Sequence, residues 1–164
     1  MGADPMTDLL ASRYEQLKHE VGKERVEDLG VISRRDLERF AIASQAPWTA
    51  PADDDVATAP PMFLSSVMGW GAGPPETELD GDGTAPSDTR GLRLSGVRLM
   101  GAGQDLEFHT AVREGMRVVA RTSLRDIELK HGKSGALLLL QILRQFTDDH
   151  ERPLVTCRET FIAR

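Results

Sequence analysis

The feature that most constrains this chain is the succession of period-two runs in its C-terminal half. Over residues 116–129, Met116, Val118, Ala120 and Leu124 alternate with Arg117, Arg121 and Arg125. Successive side chains of a strand point to opposite faces, so one side of this strand is apolar and the other wet. His131-Gly132-Lys133-Ser134-Gly135 reads as a turn into residues 136–140, which are apolar at every position, as in a central strand covered on both faces. A second turn at residues 148–153 leads to a last strand in which Val155, Cys157 and Phe161 alternate with Thr156, Arg158 and Thr160. Upstream, Leu106 and Phe108 alternate with Asp105, Glu107 and His109. Strands joined by turns this short pair antiparallel, because a parallel pair needs a crossover of about a dozen residues or more.

The first half has a different period. Residues 9–18 read as a helix, and a second helix starts after Ser33, whose hydroxyl is placed to cap the first turn with Asp36 in the acidic position of a capping box. Leu37, Phe40 and Ala41 then share one buried face. Proline and acidic residues interrupt the stretch 47–61, an apolar patch follows at Met62-Phe63-Leu64 and Val67-Met68, and residues 71–90 form a long polar loop rich in Gly, Pro and Asp. The expectation is helices first and strands after: one α+β domain over residues 1–164, residues 1–8 a flexible extension, with helix packed on one face of an antiparallel sheet.

Composition narrows the function classes. The chain is 40% hydrophobic and 28% charged, within the range of ordinary globular domains. Its net charge of −6 is uneven: residues 1–92 carry 8 basic and 17 acidic side chains, residues 93–164 carry 12 and 9. A surplus of that size, dispersed along strands, is no nucleic-acid footprint. The single cysteine, Cys157, has no internal partner, nowhere do 18 apolar residues run together, and the N-terminus has no apolar core of a signal peptide. The expectation is a cytoplasmic protein with no membrane span.

Several residues taken together carry a family resemblance. They are the helix with Arg39-Phe40-Ala41, the segment Ala59-Pro60-Pro61-Met62-Phe63-Leu64, the run Gly103-Gln104-Asp105-Leu106-Glu107-Phe108-His109 followed by Val112-Arg113-Glu114-Gly115, and the hairpin Lys130-His131-Gly132-Lys133-Ser134-Gly135. These resemble the MaoC-like N-terminal dehydratase domain, found beside or fused to R-specific enoyl-thioester hydratases. The resemblance spans most of the chain. It implies a hot-dog fold, a strongly curved antiparallel sheet wrapped round a helix, acting on acyl chains carried as coenzyme A or acyl-carrier-protein thioesters and needing no other cofactor. It also implies that two sheets pair edge to edge, either in a homodimer or with a catalytic hydratase subunit.

The resemblance implies a catalytic aspartate and histidine on a motif like Gly-Asp-x-Asn-Pro-x-His, since adding water to an enoyl thioester requires a base, an acid and a donor for the enolate-like oxygen. The corresponding place reads Ser44-Gln45-Ala46-Pro47-Trp48-Thr49-Ala50, which keeps the proline and lacks both catalytic residues. The segment after it, residues 51–58, is shorter than the family's helix, which would open room for a bulky, even steroid-like, acyl group. No catalytic residue is therefore assigned. Pro60, Pro61, Phe63 and Leu64 are expected to line or buttress an acyl pocket, with plain core packing the alternative for Phe63 and Leu64. Gln104 and His109 are expected to face a partner, and Arg113 or Arg117 to meet a coenzyme A phosphate.

The leading reading is an accessory, non-catalytic subunit of an enoyl-CoA hydratase or 3-hydroxyacyl-thioester dehydratase. One alternative is a stand-alone hydratase or thioesterase with His109 or Asp53–Asp55 as base; another is an acyl-thioester binding module. His19, His131 and His150 fall in a helix tail and turns, and Cys157 reads as a small buried hydrophobe. Other motifs fail on context. Gly132-Lys133-Ser134 sits between strands, with Ile127 where a phosphate loop needs glycine, and GAGQDL lacks the third glycine of a dinucleotide loop. Asp80-Gly81-Asp82-Gly83 is followed by Thr84, and Gly91 stands where a calcium loop needs its bidentate glutamate. No metal-ligand spacing is present.

Overall fold

The computed structural model describes residues 5–48, 52, 55–66, 74–79, 92, 94, 96–132 and 135–164. Thr49, Ala50, Asp53, Asp54, Val67, Met68, Lys133, Ser134 and most of the loop 71–90 lie outside the described residues. Within them the chain runs α1 (Pro5–Leu17), β1 (Glu24–Val31), α2 (Arg34–Ser44), α3 (Phe63–Ser66), β2 (Leu99–Phe108), β3 (Arg117–Gly132), β4 (Gly135–Asp148) and β5 (Pro153–Ala163). One five-stranded sheet has the order β1-β3-β4-β5-β2, every pairing antiparallel.

Two expectations need correction. A strand, β1, lies between the helices, so the order is not helices first and strands after. Its sequence, ERVEDLGV, is mostly exposed, because an edge strand has one free side and shows no clean alternation. The first helix starts at Pro5 and not at Leu9, so residues 5–8 are helical instead of belonging to a flexible extension. Proline suits a first helical position: its fixed φ matches the helix and its missing N–H would have had no helical partner.

The strands read from the sequence appear with the expected turns. β3 and β4 meet at Gly132 and Gly135, where φ is +106° at Gly135, and β4 and β5 are joined by the 148–153 turn. β3 holds one irregularity: the register shifts between Leu124 and Asp126. That bulge reverses the phase of alternation. Val118, Ala120 and Leu124 are buried ahead of it, and Ile127, opposite Leu140, is buried after it.

On β4 every second residue from Ala136 to Asp148 is buried, which defines the inner face. Two apolar clusters share that face. At one end Leu10 and Leu17 of α1 pack on Leu124, Ile127, Leu138, Leu140 and Ile142. At the other, Leu37 and Ala41 of α2 with Phe63 and Leu64 of α3 pack on Val118, Ala120, Phe146, Leu154 and Val155. Burying each large side chain contributes about 1.5–3 kcal/mol, so these two layers hold the helices to the sheet. α2 is also well capped: the Ser33 hydroxyl accepts from the Asp36 N–H while the Asp36 carboxylate accepts from the Ser33 N–H. It ends at Gln45 in the left-handed region, with the Ala46 N–H donating to the Ala41 carbonyl.

Candidate functional site

The stretch just before the residues expected to form an acyl pocket is tied by backbone bonds to the connection that leads into β3. The Ala59 N–H donates to the Val112 carbonyl at 2.8 Å, and the Glu114 N–H to the Ala57 carbonyl at 2.9 Å, with Thr58 bridged to Arg113 between them. Glu114 reinforces this strap: its Oε2 accepts from Arg34 Nε at 2.9 Å and from the Ala57 N–H at 3.3 Å, while Arg34 Nη2 donates to the Asp55 carbonyl at 2.6 Å. The start of α2, residues 55–59 and the turn before β3 are therefore bonded to one another, and the strap leads through Pro60 and Pro61 to the start of α3.

Of the residues assigned to the pocket, Phe63 and Leu64 lie wholly inside the core, Pro60 is half-buried and Pro61 exposed. The Phe63 ring meets Phe40 edge to face, with centroids 5.4 Å apart and planes at 83°. Arg113 is exposed beside Thr58. Arg117 is held by Asp28 of β1 through Nε and Nη2, and this contact, with the Gly30 N–H, keeps the Asp28 carboxyl below the usual carboxylate range.

Gln104 and His109 stand on opposite faces of the sheet. Gln104 is on the inner face, where its Nε2 lies 3.1 Å from Cys157 Sγ and 3.4 Å from Glu159 Oε1. His109, just past β2, is on the outer face, its Nε2 2.9 Å from Thr156 Oγ1.

The inner face also holds residues that sequence reasoning passed over. Arg144 and Glu159 are 5% and 6% exposed and stand with Cys157 in the gap between the two apolar clusters, with the Arg144 guanidinium 4.9 Å above the Phe146 ring. Arg144 continues the phase of Ile142 and Phe146, and Glu159 that of Cys157, which is the one signal by which the alternation could have marked them as inward-facing.

The place where a hydration dyad would stand is the exit of α2. Its described residues are Ser44, Gln45, Ala46, Pro47 and Trp48. The Ser44 hydroxyl donates back to the Phe40 carbonyl, Gln45 makes the left-handed cap, and Trp48 packs on the inner cluster. None of these side chains titrates as an acid or base near neutral pH. Among the described residues no group of three or more His, Cys, Asp or Glu side chains is placed to hold a metal ion. No helix among them is long and apolar enough to cross a membrane.

Comparison with known proteins gives a consistent result. The signature described as FAS1-like, dehydratase domain region, matches residues 14–157. No curated protein matched. Among solved structures, the unliganded R-hydratase PhaJ1 from Pseudomonas aeruginosa superposes with a TM-score of 0.59 at 16% identity, covering 88% of this chain and 81% of that one. The HadBC 3R-hydroxyacyl-ACP dehydratase complex from Mycobacterium tuberculosis gives 0.57 at 14% identity, covering 85% and 96%. The ChsH1-ChsH2 complex from the same organism gives 0.57 at 13% identity, covering 96% and 91%. The sheet order, the curvature and the helix packing are those of the hot-dog fold.

Proposed function

The chain belongs to the FAS1-like dehydratase domain region family, and from that premise we propose that it is the accessory subunit of an enoyl-thioester hydratase, contributing pocket wall and sheet edge to a partner that carries the catalytic dyad. The observation that carries this reading is the exit of α2, where Ser44, Gln45, Ala46, Pro47 and Trp48 supply neither an acid nor a base. Water cannot add across the conjugated double bond without a group to take its proton and another to protonate the α-carbon. The substrate would be an acyl thioester of coenzyme A or of an acyl carrier protein, with no further cofactor. Arg113, exposed at the strap, is the cation best placed for its phosphates; Arg117 already holds Asp28.

Two further features support a partner. β2 is an edge of the sheet, and its carboxylates Asp105 and Glu107 are turned onto Arg158 of β5 and not along the edge. Among the described residues no strand pairs with its outer side, so its backbone groups there and Phe108, 50% exposed, are left for another strand to cover. Some of the superposing structures are two-component complexes by description, HadBC and ChsH1-ChsH2. A homodimer through the same edge is the second arrangement, and it would leave both pockets without a dyad.

The test is hydration of a short, a long and a bulky enoyl-CoA, first by this chain alone and then by the chain co-purified with a hot-dog hydratase that retains the aspartate and histidine. The expected result is activity in the mixture, with acyl preference differing from that of the partner alone. Turnover by this chain alone, or no change in the partner's rate and preference when it is added, would overturn the proposal.

A further inference from the structure

β1 is the edge of the sheet at the end away from β2, and among the described residues no strand pairs with its outer side. An edge strand offers its outward N–H and C=O groups to any extended segment of suitable register. The ladder with β3 is regular from Glu24 to Asp28 and shifts between Asp28 and Gly30, so the regular part is centred on Val26. Val26 is 57% exposed, and Val21 and Val31, five residues to either side, are 39% and 58% exposed. Large apolar side chains are usually buried, and here three open ones share a single edge.

The charges along this edge are sorted by face. Arg25 and Glu27 stand opposite Thr122 and Ala120, in phase with the buried Ala120 and Leu124 and so on the helix side; Glu24, Val26 and Asp28 take the other face. Glu24 and Asp28 are neutralised from β3, by Arg121 at 3.6 Å and by Arg117. Arg25 and Glu27 are exposed, and among the described residues neither enters an ion pair. Two antiparallel copies of this strand, related by a two-fold axis at Val26, set the two valines directly against each other. In the same register Arg25 of each copy faces Glu27 of the other, Glu24 faces Asp28 with both already neutralised, and Val21 is carried toward Val31. Opposite charges placed symmetrically about an apolar midpoint make the edge complementary to itself.

We propose that β1 is a self-pairing edge, at which two copies of this chain join antiparallel about Val26 and make one sheet continuous through both. The opposed valines leave water together, and two Arg25–Glu27 pairs fix the register. Moving the axis to Arg25 or to Glu27 would set two arginines or two glutamates face to face, so repulsion specifies the register as well. A contact made by so few residues is a small interface, and the association is therefore concentration-dependent. The inference does not rest on the accessory reading, because a partner at β2 meets the opposite edge of the sheet.

The experiment is sedimentation equilibrium of the full purified chain from low micromolar to near-millimolar concentration. It compares the unaltered chain, Arg25→Glu, Glu27→Arg, an equal mixture of those two variants, and the double variant carrying both changes. Each single reversal turns both cross-strand attractions into repulsions and is expected to weaken self-association about 10-fold or more. The mixture and the double variant put opposite charges back at each opposed pair and should recover it. Oxidised Val26→Cys should cross-link to its own copy, because directly opposed strand residues have Cα atoms about 4.5–5.5 Å apart, within disulfide reach. Cys157 is buried and does not compete. Arg25→Cys, which faces Glu27 of the other copy, should cross-link far less. A chain that stays monomeric throughout, association unchanged by either single reversal, or no recovery in both the mixture and the double variant would overturn the proposal. The readouts are mass and cross-linking, so failure here is distinct from failure of the hydration test.

Discussion

Phe63 offers the sharpest test of how this chain divides core from pocket. It is 1% exposed, packed among Leu37, Leu64, Val118, Phe146 and Leu154, and in edge-to-face contact with Phe40. Removing its ring deletes the transfer energy and leaves a cavity walled by side chains that are themselves fully buried on strands and helices and cannot collapse inward. Phe63→Ala should therefore cost about 3–5 kcal/mol, within the range for large-to-small aromatic changes. In a domain of this size each kcal/mol moves Tm by about 2–4 °C, so the melting point should drop by about 6–20 °C. Urea unfolding should show the loss as a lower midpoint with an unchanged slope. A double-mutant cycle with Phe40→Leu and Phe63→Leu should return a coupling of about 0.5–1.5 kcal/mol for the ring pair. A Phe63→Ala protein less than about 1 kcal/mol destabilised, with the same slope, would refute the reasoning. It would mean that the ring lines an opening large enough to take solvent or acyl chain, and that the packing around α3 is loose.

Other outcomes follow from single contacts. Ser33→Ala should cost about 1 kcal/mol by removing the α2 cap, read by chemical denaturation. Gly115 has φ of +82° with nothing near its missing Cβ, so Gly115→Ala should be destabilising by about 1–2 kcal/mol through backbone strain alone, again read as a lower urea midpoint. Burial raises the Asp148 carboxyl, but bonds from the Arg152 N–H, the Arg152 guanidinium and the His150 N–H outweigh it and hold the group below the usual carboxylate range. Its contribution is thus complete above the unfolded value of about 3.9 and lost as pH falls through the lower folded value. Melts of Asp148→Asn and the unaltered chain should differ at neutral pH and converge in acid. Glu114→Gln should leave the helices intact yet speed amide exchange over residues 55–59, because it removes the ion pair with Arg34.

How much of this was legible depended on whether a residue's role is set by its neighbours in sequence or by register. The strands β3, β4 and β5, the capping box at Ser33 and the turns at Gly132 and Asp148 are local, and all are present, although residues 136–140, read as covered on both faces, alternate between buried and half-buried, and residues 154–157 of β5, read as alternating, are all buried. The resemblance to MaoC-like dehydratases, read from segments around Phe40, Phe63, Gln104 and Gly132, agrees with the dehydratase-region signature and with the superposing structures. β1 escaped because Glu24, Arg25, Glu27 and Asp28 give it the composition of a surface loop, and only pairing with β3 makes it a strand. The bulge at Leu124 escaped because alternation alone cannot show where a strand gains a residue. Arg144 and Glu159 look like surface charges until their phase on β4 and β5 is known. The His109 contact with Thr156 spans 47 residues, and no local rule brings those two together.

The sheet order also governs the timing of folding. β3, β4 and β5 are joined by tight turns and can zip as a meander, whereas β1 waits for β3 and β2 for β5, across long stretches of intervening chain. Closing such loops is entropically slow, and distant pairings are made after local ones. Both outer strands are therefore late arrivals, and the segments made first during synthesis are the last to find their places. A nascent chain would expose β1 until β3 emerged and β2 until β5 did, so anything that paired with the β2 side during synthesis would meet an edge that is still forming instead of a finished one.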